Sequence, residues 1–157
     1  ALNLASLLCD LSRYDEARKV FQNIDSQLDL HNHIPNLFLG RLANQHAKNG
    51  KLYEECGMEN EAIREYKTAL SLFDKLVDVR LSLAKLYVKK NYLELAQEQI
   101  EKLLMYSPNS YEARNMLGII YYKLGYKDIA KEQWAQAYSL NPSDSVAKAY
   151  LQMLINN

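Results

Sequence analysis

Apolar residues in this chain recur at helical spacing. Val79, Leu83, Leu86 and Tyr87 follow the i, i+4, i+7, i+8 pattern of one apolar stripe, and Leu93, Ala96, Ile100, Leu103 and Leu104 form a second. Between the two stripes stands Asn91, and at the matching places of the neighbouring segments stand Gly57 and Gly125. Glycine takes left-handed backbone angles without steric cost and asparagine takes them better than most residues, so each of these positions predicts a tight inner turn. Pro108 and Pro142 lie where a helix cannot continue, and the residues before them, Ser107 and Asn141, are biased out of helical geometry. The pattern therefore predicts helical hairpins that follow one another directly.

The hairpins are copies of one another. Tyr53, Tyr87 and Tyr121 are separated by 34 residues, as are Gly50, Ala84 and Gly118, then Leu52, Leu86 and Ile120, then Ala62, Ala96 and Ala130. Bulky residues recur at Tyr66, Ile100 and Trp134, and Ala69, Leu103 and Ala137 complete the series. A further unit matches at an offset of 45, which pairs Ala5 with Gly50, Leu8 with Tyr53, Ala17 with Ala62 and Phe21 with Tyr66. The extra length falls between Ile24 and Gly50, where the stretch Leu30 to Asn36 with Pro35 breaks the helical pattern and the first helix of the following unit has room to lengthen. The expected organisation is a partial first repeat over 1–29, an insertion over 30–42, repeats over 43–76, 77–110 and 111–144, and a capping helix over 145–157.

Packing explains the pattern of sizes. Gly50, Ala84 and Gly118 are expected to face Ala62, Ala96 and Ala130 and let two helix backbones approach, with Tyr53, Tyr87 and Tyr121 filling the space left over. One hairpin cannot bury its apolar faces alone, so stacked neighbours supply the core. Val146, Ala147, Tyr150, Leu151 and Leu154 would cover the last hairpin, with Lys148 and Gln152 in water. At the other end the chain opens at Ala1 within a helical pattern, and Leu2, Leu4, Leu7 and Leu8 leave an apolar face. That face predicts further repeats upstream or self-association through the N-terminal end.

Leu117-Gly118, Tyr121, Gly125, Tyr126, Ala130, Trp134, Ala137 and Pro142 resemble the tetratricopeptide-repeat consensus, and Leu83-Ala84, Tyr87, Ala96 and Pro108 resemble it in the preceding unit. The departures are Asn49 before the small residue, Asp74 in place of the closing proline, and His46, Arg80 and Arg114 where a large apolar residue is common. The resemblance implies an all-α fold, a right-handed superhelix of antiparallel helix-turn-helix hairpins with a C-terminal capping helix, and a function in binding other proteins.

Composition narrows the function further. Nineteen basic and nineteen acidic side chains give a net charge of zero, which removes the simplest reason to expect nucleic acid or an anionic membrane surface as partner. No apolar run approaches the ~20 residues that span a bilayer. Cys9 and Cys56 are read as buried free thiols in helices, which fits a cytoplasmic setting, although two cysteines are too few to separate it from a periplasmic one. His31, His33, His46 and Cys56 lack the paired spacing of a zinc site and read as a polar turn followed by a helix, so neither a metal nor another cofactor is implied. Asp15-Glu16, Glu54-Glu55 and Glu59 with Glu61 read as solvated faces, because acid–base catalysis needs a desolvated carboxyl with a matched partner. No phosphate loop, nucleophile elbow or zinc-protease motif occurs. The chain is therefore not expected to be an enzyme.

In the resembling family the first helix of each hairpin lines the concave wall. Carried onto this sequence, the partner-facing side would hold Ala47, Lys51, Glu54 and Glu55, then Leu81, Lys85, Val88 and Lys89, then Asn115, Ile119, Tyr122 and Lys123, with Ala149 and Met153 from the cap. From these the expected partner-binding groove is Lys51, Leu81, Lys85, Val88, Lys89, Asn115, Ile119, Tyr122, Lys123 and Met153. Such a wall suits another protein's segment with apolar anchors and acidic flanks, with Tyr122 as the principal anchor. Family members that grip acidic chaperone tails place Lys and Asn, then Asn, then Lys and Arg at set positions. Here those positions hold Ala47, Lys51, Ser82, Glu112 and Met116, or Leu2, Ser6, Lys48, Asp78 and Ser82 in the other register, so the clamp is absent. Two other readings are open: a single-stranded RNA-binding helical repeat, disfavoured by a groove whose matched positions run Ala47, Leu81, Asn115, and a regulatory or assembly module of a larger envelope, secretion or motility complex.

Overall fold

In the computed structural model the described residues are 34–155 together with Leu4, Leu8, Arg13, Glu16, Lys19 and Val20, and every regular element among them is a helix. These are α1 (Ile34–Glu55), α2 (Glu59–Leu72), α3 (Val77–Lys89), α4 (Leu93–Tyr106), α5 (Tyr111–Lys123), α6 (Lys127–Leu140) and α7 (Ser145–Ile155). They fall into two units, Ala1–Asp74 and Lys75–Asn157. The first contains the hairpin α1–α2. The second contains the hairpins α3–α4 and α5–α6, followed by α7 packed on α6.

All three hairpins turn in the same way. The N–H of Met58 reaches the carbonyl of Tyr53, that of Tyr92 reaches Tyr87, and that of Tyr126 reaches Tyr121, at 2.8, 2.8 and 2.9 Å. One residue earlier Gly57, Asn91 and Gly125 bond to Glu54, Val88 and Tyr122. This pair of bonds is the Schellman helix end, which requires a left-handed residue at its centre. Gly57, Asn91 and Gly125 supply it with φ of 75°, 60° and 90°, as their residue types predict. The apolar contact that accompanies such an end is a pair of tyrosines in two hairpins. Tyr87 meets Tyr92 and Tyr121 meets Tyr126 edge-on, each at 6.4 Å between ring centroids.

Inside each hairpin the sizes match across the two helices. A Cβ on Gly50 would lie 2.6 Å from the ring of Tyr66, and one on Gly118 would lie 2.4 Å from Nε1 of Trp134. The glycines therefore make room for the aromatic residue of the second helix. The equivalent pair in α3–α4 is Ala84 with Ile100, both fully buried. A smaller partner there tolerates a methyl group.

A second series of cross-hairpin pairs is polar and repeats with the same period. Nδ1 of His46 and Oε2 of Glu65 are 2.7 Å apart, Arg80 donates to Oε1 of Gln99 at 2.9 Å, and Arg114 donates to Oε1 of Gln133 at 3.2 Å. His46 and Arg80 are buried, and the Arg80 guanidinium also lies over the Tyr106 ring at 5.9 Å. The three residues that depart from the apolar consensus thus each meet a matched polar residue nineteen positions on.

Several sequence expectations are corrected. α1 begins at Ile34 and runs unbroken for 22 residues, so Pro35 does not stop the helix. It stands in the first turn, where the missing N–H has no helical acceptor to lose. Cys56 is neither buried nor helical but exposed in the inner turn beside Gly57. Glu54 is half-buried and accepts the Tyr66 hydroxyl at 2.7 Å, so it is not a solvated carboxylate. Val146 is exposed, while Ala147 is buried and Tyr150 stacks on Trp134 at 4.4 Å with the rings 3° from parallel. Of the N-terminal unit, Leu8 is buried and Leu4 exposed, and Glu16 pairs with Arg13 at 2.6 Å. Cys9, His31, His33, Asp15 and the remaining N-terminal leucines lie outside the described residues.

α7 is held at its start by a single carboxylate. Oδ2 of Asp144 accepts the N–H of Ala147 at 3.1 Å and the side-chain amide of Asn115 at 2.7 Å, which ties the helix N-terminus to α5. Ser110 caps α5 at the equivalent position of the preceding repeat, through the N–H of Ala113 at 3.2 Å. Asp144→Ala removes a cap and leaves a buried amide unpaired, at a cost of about 1–2 kcal/mol. Ser110→Ala removes a cap alone and costs about 1 kcal/mol. Urea unfolding of the two variants ranks them in that order.

Candidate functional site

The second unit presents two equivalent first helices whose same-face positions can be compared one by one. On α3 the face runs Asp78, Leu81, Lys85, Val88, Lys89, and on α5 it runs Glu112, Asn115, Ile119, Tyr122, Lys123, each residue 34 positions after its counterpart. These offsets of three, seven and ten to eleven residues keep the side chains on one side of a helix. The face is polarised along its length. Both acids stand in the first turn, and Lys89 and Lys123 stand in the last. Each charge complements the helix terminus beside it.

The degree of burial separates the predicted groove residues into three kinds. Lys85, Lys89 and Lys123 are exposed, as is Lys51 on α1 in the other unit. Leu81, Val88, Ile119, Tyr122 and Met153 are half-buried, so the apolar members are less open than the sequence pattern implies. Tyr122 leans on its own hairpin, with its ring 5.9 Å from that of Trp134. It occupies the position from which Glu54 reaches Tyr66 in α1–α2, and in both hairpins this residue contacts the aromatic residue twelve positions on. Asn115 is 6% exposed and committed to Asp144, and its Oδ1 has no donor among the described residues. It therefore offers a partner almost no surface, and the groove expectation is corrected at this position.

Sequence reasoning missed a cleft of about 440 Å³ at the acidic end of the two helices. Its lining includes Asp78 and Leu81 of α3, Leu103 of α4, Pro108 and Ser110 of the connection, and Glu112 of α5. The signal was present in Asp78 and Glu112, which share a repeat position, but their distance from Leu103 and Pro108 in the chain hides the enclosure. Hydrogen bonding to Glu112 raises the pKa of the Tyr111 hydroxyl, with the charge of the same carboxylate adding to it. Elsewhere in the unit burial raises the pKa of the Tyr87 hydroxyl, assisted by Glu98, and burial does the same for Tyr121, assisted by Glu101. The carboxyl of Glu98 is held below the usual range by its hydrogen bond from Lys102 at 2.7 Å. Among the described residues no group of three or more His, Cys, Asp and Glu side chains converges as metal ligands, and no helix is long and apolar enough to cross a membrane.

Comparison with known proteins places the helices in a family. The model of the tetratricopeptide repeat matches residues 77–110 and 111–144. A search of curated protein sequences gives no match. Among solved structures, the chain resembles the TPR domain of Arabidopsis OM64 with a TM-score of 0.72, at 16% identity, over 76% of this chain and 98% of that one. It resembles the first TPR domain of Spaghetti (RPAP3), solved bound to the HSP90 peptide SRMEEVD, with a TM-score of 0.71 at 17% identity, over 74% of this chain and 93% of that one. The TPR domain of Sgt2 from Aspergillus fumigatus matches with a TM-score of 0.66 at 19% identity, over 73% and 77% of the respective chains. At these identities the likeness speaks for the fold, an all-α helical repeat. Residues 77–144 thus match the tetratricopeptide repeat twice over, the hairpin α1–α2 shares their Schellman turn and glycine–aromatic pair, and the fold is that of the TPR domains it resembles.

Proposed function

We propose that this chain is a protein-interaction module that seats a partner segment on the first-helix face of its C-terminal repeats and performs no catalysis. The observation that carries the reading is the composition of that face. The hairpins are closed by Ala84 with Ile100, by Gly118 with Trp134 and by the polar cross-pairs, yet α3 and α5 keep Leu81, Val88 and Ile119 half-open beside three exposed lysines. Half-open apolar groups ringed by charge are the surface that a peptide with apolar anchors and acidic flanks would complete. Met153 on α7 extends the set as a further candidate contact.

Structural neighbours include domains solved with the HSP90 peptide SRMEEVD and the HSP70 peptide SGPTIEEVD. Such tails are not the proposed partner. Glu112 puts a negative charge where the chaperone-binding members carry lysine, and Ala47, Ser82 and Met116 cannot replace the remaining clamp residues. Titration with SRMEEVD is expected to give no saturable binding.

The groove is tested by panning a random peptide display library on the whole chain and measuring the enriched peptides by calorimetry. Tyr122→Ala is expected to weaken them by about tenfold or more, as for an aromatic anchor, and Lys85→Glu by a smaller, salt-dependent factor. Enriched peptides that bind both folded variants as tightly as the parent would refute the placement.

A further inference from the structure

The cleft at the acidic end of the face has a chemistry of its own, and we infer that it receives a cationic side chain, arginine or lysine, of the partner segment. The inference rests on the reading that a segment lies along α3 and α5, and it adds a direction to it. The basic end of the segment would lie at Asp78 and Glu112 and its acidic end at Lys85, Lys89 and Lys123.

Shape and charge support the same occupant. At about 440 Å³ the cleft takes a long side chain. Leu81 and Pro108 offer apolar surface to the methylene stem of a lysine or arginine, which such residues bury while keeping the charged head at the rim. The rim is where the carboxylates stand. Glu112 accepts the Ser110 hydroxyl at 3.2 Å and interacts with the Tyr111 hydroxyl. Both partners are neutral, so the negative charge is undiminished. Asp78 has no ion-pair partner among the described residues. Of the arginines on the same helices, Arg80 donates to Gln99 and lies over the Tyr106 ring, and Arg114 donates to Gln133 and to the carbonyl of Pro108. Each lies two residues beyond the acid of its own helix, and so on the far side of it. An acidic occupant would be repelled by the two exposed carboxylates, and a purely apolar one would gain nothing from them.

The test is a titration of the isotopically labelled whole chain with N-acetyl-L-argininamide, followed through backbone amide chemical shifts. Its uncharged counterpart N-acetyl-L-norleucinamide and N-acetyl-L-glutamate are run beside it. Saturable shifts are expected at residues 77–81 and 107–112 with the arginine probe alone, with a Kd on the order of millimolar as befits a single exposed ion-pair site. The doubly neutralised Asp78→Asn/Glu112→Gln variant, checked for retained helical circular dichroism, is expected to weaken that binding about fivefold or more. Equal shifts from norleucinamide, an unaltered Kd in the neutralised variant, or no saturation overturn the inference. Failure of the groove is distinguishable: argininamide would still saturate the cleft while Tyr122→Ala left the selected peptides unaffected. The reverse result removes the cleft and keeps the groove.

Discussion

Trp134→Ala is expected to lower the stability of the chain by about 3–5 kcal/mol, the range for deleting a large aromatic side chain from a packed core. Trp134 is fully buried, and three neighbours depend on it. Gly118 is shaped to its indole edge, Tyr122 leans on its face at 5.9 Å, and Tyr150 of α7 stacks on it at 4.4 Å. Its Nε1 also donates to the carbonyl of Asn115 at 3.2 Å, a buried acceptor that truncation leaves without this bond. The loss therefore spreads over α5, α6 and α7 at once. Amide hydrogen exchange of the variant is expected to show protection lost first in α7, which holds to the preceding hairpin through Ala147, Tyr150 and the Asp144 cap. Unchanged protection in α7 would show that the stack contributes nothing to docking the cap.

The effect on the face follows from the same contacts. Tyr122 is half-buried because Trp134 supports it, so a Trp134 variant that stays folded should also weaken any partner held by Tyr122. This separates two meanings of a binding defect. Tyr122→Ala removes an anchor and leaves the indole in place, whereas Trp134→Ala leaves the anchor and removes its backing. Lys85 lies on α3 and shares neither contact, which makes Lys85→Glu a reporter of electrostatics alone.

The fold was legible because each of its determinants is local or periodic. Gly57, Asn91 and Gly125 announce left-handed turns by residue type, Pro108 and Pro142 announce helix stops, and the 34-residue recurrence of Tyr53, Tyr87 and Tyr121 announces the hairpin. Less legible was which residues of the two helices meet. Periodicity assigns a residue to a stripe but does not set the axial offset between helices, so the close fit of Gly118 to the Trp134 indole was not visible in it. The polar cross-pairs were hidden for a related reason. His46, Arg80 and Arg114 look like departures from an apolar position until Glu65, Gln99 and Gln133 are seen opposite them. Pro35 misled in another way, since proline ends a helix from within but suits its first turn, and the sequence alone does not say which side of the boundary it occupies. At the candidate site, the face of α3 and α5 could be named from spacing, but the burial of Asn115 and the cleft around Leu103 and Pro108 depend on contacts between elements.

The axial offset can itself be tested by exchanging residues between repeats. Gly118→Ala is expected to destabilise the chain by about 2–3 kcal/mol net, although alanine is the better helix former by about 1 kcal/mol. The added methyl group would fall 2.4 to 2.7 Å from three atoms of the indole, and the ring cannot withdraw, being stacked on Tyr150 and hydrogen-bonded to Asn115. The preceding repeat already contains the compatible pair, Ala84 with Ile100. Combining Gly118→Ala with Trp134→Ile recreates that pair in the last repeat. The double variant is therefore expected to be more stable than the sum of the two single changes predicts, by at least about 1 kcal/mol in a double-mutant cycle read by urea unfolding. Additive effects would mean that Gly118 is small for a reason unrelated to the indole, and the matched sizes at 50 and 66, 84 and 100, and 118 and 134 would then not be what sets the spacing of the two helices.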